Sequence, residues 1–140
     1  MNVLNVYVSS QMTSNPGMMT PGGIVVDHKG IIKERYSWEA GHGTNMLVEL
    51  LGVEQGLRLS CNHQPVAIIV YSANLPIIEQ LRGTISTRAQ SLAGVHSRIT
   101  ELLRDLAIPI QFQWIPKDGL NTWTGYLQKG TKQRGLFCAQ

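Results

Sequence analysis

Between Pro65 and Ser72 the chain carries an unbroken apolar run, Val66-Ala67-Ile68-Ile69-Val70-Tyr71. A strand with no polar face has to be covered on both sides, which places it at the centre of a sheet with further layers around it. The opening run Val3-Leu4-Asn5-Val6-Tyr7-Val8 is also β-rich and reads as the first strand of the chain, likewise covered on both faces. Covering two such strands needs helices. Helical periodicity is present in Ile99, Leu102, Leu103 and Leu106, an i, i+3, i+4, i+7 stripe. The chain therefore belongs to the α/β class.

The remaining elements follow from turn and cap chemistry. Ser14-Asn15-Pro16-Gly17 and Pro21-Gly22-Gly23 are turn clusters bracketing Met18-Met19-Thr20. Ile24-Val25-Val26 predicts a second strand, Lys29-Gly30 a tight turn, and Ile31 to Trp38 a third, giving an antiparallel meander with the first. Thr44 is a good N-cap for a helix running to about Leu59. That helix is apolar on more than one face, so it is expected between the sheet and another element. Gly52 and Gly56 sit one turn apart inside it. Each costs about 1 kcal/mol of helix propensity, which close approach of a neighbouring backbone would offset. Asn74 predicts a cap for a short helix with Pro76 in its first turn and Ile77, Ile78 and Leu81 facing inward. Ile108 to Ile115, stopped by Pro116, predicts a fifth strand with Trp114 in the core, and Trp123 to Gln128 a last short helix. Gly83 to Gly94 is left unassigned.

With 140 residues, the chain is long enough for one domain that buries roughly two-thirds of its unfolded surface. Charged residues are only 15%, which argues against disorder. Cys61 and Cys138 are far apart and lack metal-ligand spacing, so the expected setting is a reducing cytoplasm. No apolar run approaches the roughly 18–20 residues that span a bilayer, and the first 15 residues show no basic and apolar leader pattern. No membrane association is expected. Residues 1–116 carry eight basic and eight acidic side chains, so Lys117, Lys129, Lys132 and Arg134 against Asp118 give the whole net charge of +3. A basic end on a neutral body suits a polyanion, or is simply a solvated terminus.

These motifs in this order resemble type 1 ribonuclease H. Asn15-Pro16-Gly17 lies six residues beyond Ser9, Pro21-Gly22-Gly23 enters strand two, and Gly43-Thr44-Asn45 precedes Glu49-Leu50-Leu51 in the first helix. Val70-Tyr71-Ser72 leads into the second helix, and Trp114-Ile115-Pro116 followed by Asn121 closes the set. The resemblance covers residues 3–128 and implies a ribonuclease H-like fold: a five-stranded mixed sheet, three antiparallel strands then two parallel, flanked by helices. Residues 1–128 would form that domain and 129–140 a basic C-terminal tail.

The family cuts the RNA strand of an RNA/DNA hybrid with two divalent ions held by four carboxylates. Carried onto this chain, the four positions fall on Ser9, Glu49, Ala73 and Gly125. Only Glu49 keeps its acid. The others offer a hydroxyl, a methyl and no side chain, and Asp27 and Asp118 are displaced from the motif. One carboxylate cannot hold two Mg²⁺ ions against their hydration, so no metal and no cofactor is expected. The resemblance then implies a catalytically degenerate domain that acts by binding nucleic acid. Its contact residues would be Asn15, Gly17, Thr44, Asn45, Asn74, Arg88 and Lys117.

The basic protrusion that some family members use is missing between Gly83 and Gly94, so binding is expected to be weak and salt-sensitive. Asn15 and Thr44 equally serve as a turn residue and a cap. Glu49 is either a relic ligand or a polar helix position, and Trp123 either stacks on a base or covers the sheet. Met12, Met18 and Met19 either adapt to a partner surface or fold back on the sheet. His28, His42, His63 and His96 lack metal spacing. Two alternatives stand beside the binding domain. One is an active Mg²⁺- or Mn²⁺-dependent ribonuclease H with an altered site around Glu49 and backbone carbonyls, with Asp27 or His42 as optional further ligands. The other is a protein-interaction or assembly module that forms a homo-oligomer.

Overall fold

A computed structural model of the chain describes residues 2–83 and 90–120. The expected final helix, the tail at 129–140, Arg88 and Gly125 lie outside them. Among the described residues the elements run β1 (Val3–Val8), β2 (Gln11–Met12), β3 (Gly17–Thr20), β4 (Gly22–Val26), β5 (Ile32–Ser37), β6 (His42–Gly43), α1 (Asn45–Cys61), β7 (Ala67–Ser72), α2 (Leu75–Arg82), α3 (Gln90–Leu106) and β8 (Ile110–Trp114). The main sheet runs β5-β4-β1-β7-β8. Strands β1, β4 and β5 pair antiparallel, as a meander should. β7 pairs parallel to β1 from Val3–Ala67 to Tyr7–Tyr71, and β8 parallel to β7 from Ile68–Ile110 to Ser72–Trp114.

Leu4, Val6 and Val8 of β1, Ile68 and Val70 of β7 and Phe112 of β8 point to one face, where they meet Leu50, Val53 and Leu57 of α1, Ile77 and Ile78 of α2, and Leu92, Val95 and Ile99 of α3. Helix α1 lies between the sheet and α3, which explains its apolar residues on several faces. Its glycines are closely approached, but chiefly by side chains rather than by the neighbouring backbone expected. A Cβ on Gly52 would sit 2.8 Å from Val8 Cγ1, and one on Gly56 would collide with Val6 and lie 2.7 Å from the Tyr36 hydroxyl. Tyr36 is fully buried and donates to the Gly52 carbonyl at 2.6 Å. The α1–α3 contact is closed by Glu54, which accepts from Arg58 and from both ends of the Arg98 guanidinium at 2.8–3.2 Å.

Four further expectations need correction. Strands β1 and β7 alternate between buried and half-buried residues instead of being evenly covered, since the described helices all pack on one face. On the other face Ile24 and Val26 form a small cluster with Tyr7 and Ile32, and Tyr7 stacks on Tyr71 at 4.7 Å between ring centres. Met18-Met19-Thr20 is not a bare loop but part of β3, which pairs with β2 and β6 in a second, three-stranded sheet. Met19 is buried there, while Met18 stays exposed. Third, Trp114 is 43% exposed rather than core. It ends β8 level with Ser72, where the chain turns into α2, and its indole N–H donates to the Ala73 carbonyl at 3.2 Å.

The expected strand at Ile108–Ile115 is shorter because Ala107 takes a positive φ of 53° and Pro109 follows. Arg82 at the end of α2 reaches across to β8 and donates its Nε–H to the Phe112 carbonyl at 2.7 Å. Among the described residues no helix is long and apolar enough to cross a membrane.

Candidate functional site

Because β1 and β7 run parallel and side by side, their carboxyl ends open at the same edge of the sheet. Ser9 and Ser10 follow β1 there, and Ala73 and Asn74 follow β7. The amino end of α1 brings Asn45, Met46 and Glu49 over the same edge, and a helical turn at 117–120 adds Lys117 and Leu120. Together they line a cleft of about 940 Å³.

Local sequence explains the placement. Thr44 caps α1 by accepting the Leu47 N–H at 3.3 Å. Asn74 caps α2 by accepting the Ile77 N–H at 3.2 Å, with Pro76 in the first turn where no N–H partner is needed. Ser72 alternates inward on β7 and is fully buried. Its hydroxyl accepts the Asn74 N–H at 3.0 Å and donates to Glu49 in a short hydrogen bond. Ser10 donates to the Val48 carbonyl at 3.2 Å and its hydroxyl also reaches Glu49. Burial pushes the Glu49 carboxyl up to about 7, with the Ser72 and Ser10 hydroxyls opposing the rise only in part.

Of the residues expected at the site, Ser9, Asn45, Glu49, Ala73, Asn74 and Lys117 do line one cleft. Asn15, Gly17 and Thr44 do not. The Asn15 Oδ1 accepts the Asn45 N–H at 3.1 Å and so ties its turn to the start of α1. Gly17 is paired with Gly43, and a Cβ on it would meet Ser14 at 2.6 Å. Asp27 and His42 are not part of the cleft. The Ile31 N–H, together with that of Lys29 and the Lys33 ammonium, holds the Asp27 carboxyl below its usual range at the hairpin turn. Sequence reasoning missed Ser10 and Ser72 as site residues. The inward phase of Ser72 in the β7 alternation was the available signal.

A pair of divalent ions needs several converging anionic oxygens. Among the described residues no three His, Cys, Asp or Glu side chains converge, and Glu49 points its oxygens at hydroxyl donors. The described residues do not fit a metal pair.

A parallel junction of this kind, with α1 crossing it after a three-stranded meander, is the ribonuclease H architecture. The profile of the reverse transcriptase-like family, which is ribonuclease H-like, matches residues 5–121, and the chain belongs to that family. The fold is similar to that of RNase H1 from Halobacterium salinarum NRC-1 (TM-score 0.80, 20% identity, covering 88% of this chain and 92% of that one). It is equally similar to LC11-RNase H1, solved in complex with an RNA/DNA hybrid (TM-score 0.81, 18% identity, 90% and 94% covered). The N-terminal RNase H domain of a Mycobacterium tuberculosis protein matches as well (TM-score 0.81, 19% identity, 89% and 95% covered). Among curated proteins none matches.

Proposed function

We propose that this ribonuclease H-like domain binds nucleic acid, an RNA/DNA hybrid or a structured strand, without cutting it. The observation that carries this reading is Glu49, the one acidic side chain among the described residues that line the cleft, buried and bonded to Ser72 instead of facing open solvent. A single carboxyl does not supply the several anionic oxygens that two hydrated cations need. The binding half of the reading is supported by the LC11 relative, whose structure holds an RNA/DNA hybrid. It is also supported by the net charge of +3, concentrated at and after Lys117.

About four phosphate contacts would give a slope of roughly −3 to −4 in log affinity against log salt. A titration of the whole chain with an RNA/DNA hybrid is expected to saturate at low salt and to weaken roughly a hundredfold over a fourfold rise in salt. No saturable binding at low salt would remove the nucleic-acid reading and leave a protein partner or self-assembly. Hybrid cleavage in Mg²⁺ or Mn²⁺ that disappears in Glu49→Gln would overturn the non-cutting half.

A further inference from the structure

Ser10 spends its donor on the Val48 carbonyl, but other donors of the cleft lack a strong acceptor among the described residues. Lys117 is exposed, and among the described residues it makes no ion pair and the side chains of Ser9 and Asn45 make no hydrogen bond. Asn74 spends its Oδ1 on the helix cap, while its Nδ2 has only the Met46 sulfur, a weak acceptor at 3.9 Å. The acid in their midst, Glu49, has its carboxylate engaged by Ser72 and Ser10. A cleft of about 940 Å³ with one ammonium and several amide and hydroxyl donors, and with its acid tied down, is complementary to an anion.

Resting on the nucleic-acid reading above, we infer that this cleft seats a backbone phosphate of the bound strand directly. The Lys117 ammonium and the donors of Ser9, Asn45 and Asn74 take the place that metal ions have in cutting members of the family. The residues that do not fit a cation pair fit the phosphate that such a pair would have held. Lys117 supplies the charge, and the neutral donors supply direction.

The test is a fluorescence titration of the whole chain with an RNA/DNA hybrid, in EDTA and in Mg²⁺, for the wild type, Lys117→Gln, Lys117→Arg and Lys29→Gln. Lys29 sits in the β4–β5 turn, at the opposite end of β4 from Gly22, so its loss changes net charge equally but remotely. Affinity is expected to be the same in EDTA and Mg²⁺. It should fall about tenfold in Lys117→Gln, as befits one charge-assisted contact, change less than about twofold in Lys29→Gln, and be mostly retained in Lys117→Arg.

Binding that needs Mg²⁺, or equal losses in Lys117→Gln and Lys29→Gln, would overturn the inference while leaving nucleic-acid binding intact. No binding in any condition would overturn both. Inorganic phosphate, titrated alone, separates the two sources of the anion. A saturable response to phosphate in a chain with no affinity for hybrid would mark a free-anion pocket and reject the strand-bound phosphate.

Discussion

Replacing Glu49 by Gln should make the protein more stable, and by an amount that depends on pH. A glutamate in the unfolded chain titrates near 4.5, whereas Glu49 in the folded chain titrates at about 7 because it is buried. The folded state thus holds a proton that the unfolded state releases between those two values. Stability is complete below about 4.5, falls as pH rises through the window, and levels off above about 7. A gap of that width corresponds to about 3 kcal/mol, since each pH unit of difference is worth about 1.4 kcal/mol. The Gln variant keeps a carbonyl that accepts the Ser72 hydroxyl but carries no charge to desolvate. Urea denaturation of both proteins at a series of pH values is the assay. The curves should coincide below pH 4.5 and diverge to about 3 kcal/mol in favour of Glu49→Gln by pH 8, with most of the divergence arising between pH 5 and 7. Parallel curves, or a variant that is less stable at every pH, would refute the claim that burial governs this carboxyl.

Two helical glycines should respond to alanine with opposite signs. Gly56→Ala is expected to cost about 1–3 kcal/mol through overlap with Val6 and Tyr36, whereas Gly94→Ala, whose nearest outside neighbour is the Arg98 guanidinium at 3.7 Å, should gain about 0.5–1 kcal/mol; thermal unfolding decides both. Tyr36→Phe leaves the Gly52 carbonyl without its buried donor and should cost about 1–2 kcal/mol in the same measurement. Burial pushes the Glu54 carboxyl up, but Arg98 and Arg58 outweigh it and hold the group below its ordinary value. That ion pair therefore stabilises above the usual carboxylate range and fades as pH falls through the lowered value. Because both arginines are nearly half exposed, Arg98→Met should cost only about 1 kcal/mol at neutral pH and less in acid, read from denaturation at pH 7 and pH 3.

Most of the main sheet could be read from the chain because its signals are local: the apolar run into β7, the Lys29-Gly30 turn, the caps at Thr44 and Asn74, and the stripe at Ile99 to Leu106. The second sheet could not. Its strands β2 and β6 have two residues each, too short to show a period, and β3 finds its partners only through the tertiary fold. The exposure of Trp114 was equally hidden, since a continuous apolar run does not reveal which end leaves the covered part of the sheet. At the cleft, Glu49 was legible from its place in the helix motif. Its environment was not, because Ser72 lies 23 residues away and meets it only when β7 is docked against α1.

Arg82 carries a further consequence for how the molecule behaves in company. Ile68 donates to the Pro109 carbonyl and Ile115 to that of Ser72, so odd-numbered residues of β8 turn their backbone groups toward β7 and the Phe112 carbonyl looks outward from the border of the sheet. The Arg82 guanidinium occupies that carbonyl. A strand from a neighbouring molecule that tried to extend the sheet here would have to displace a charged plug before making its first rung. A single side chain thus blunts this border at its middle residue.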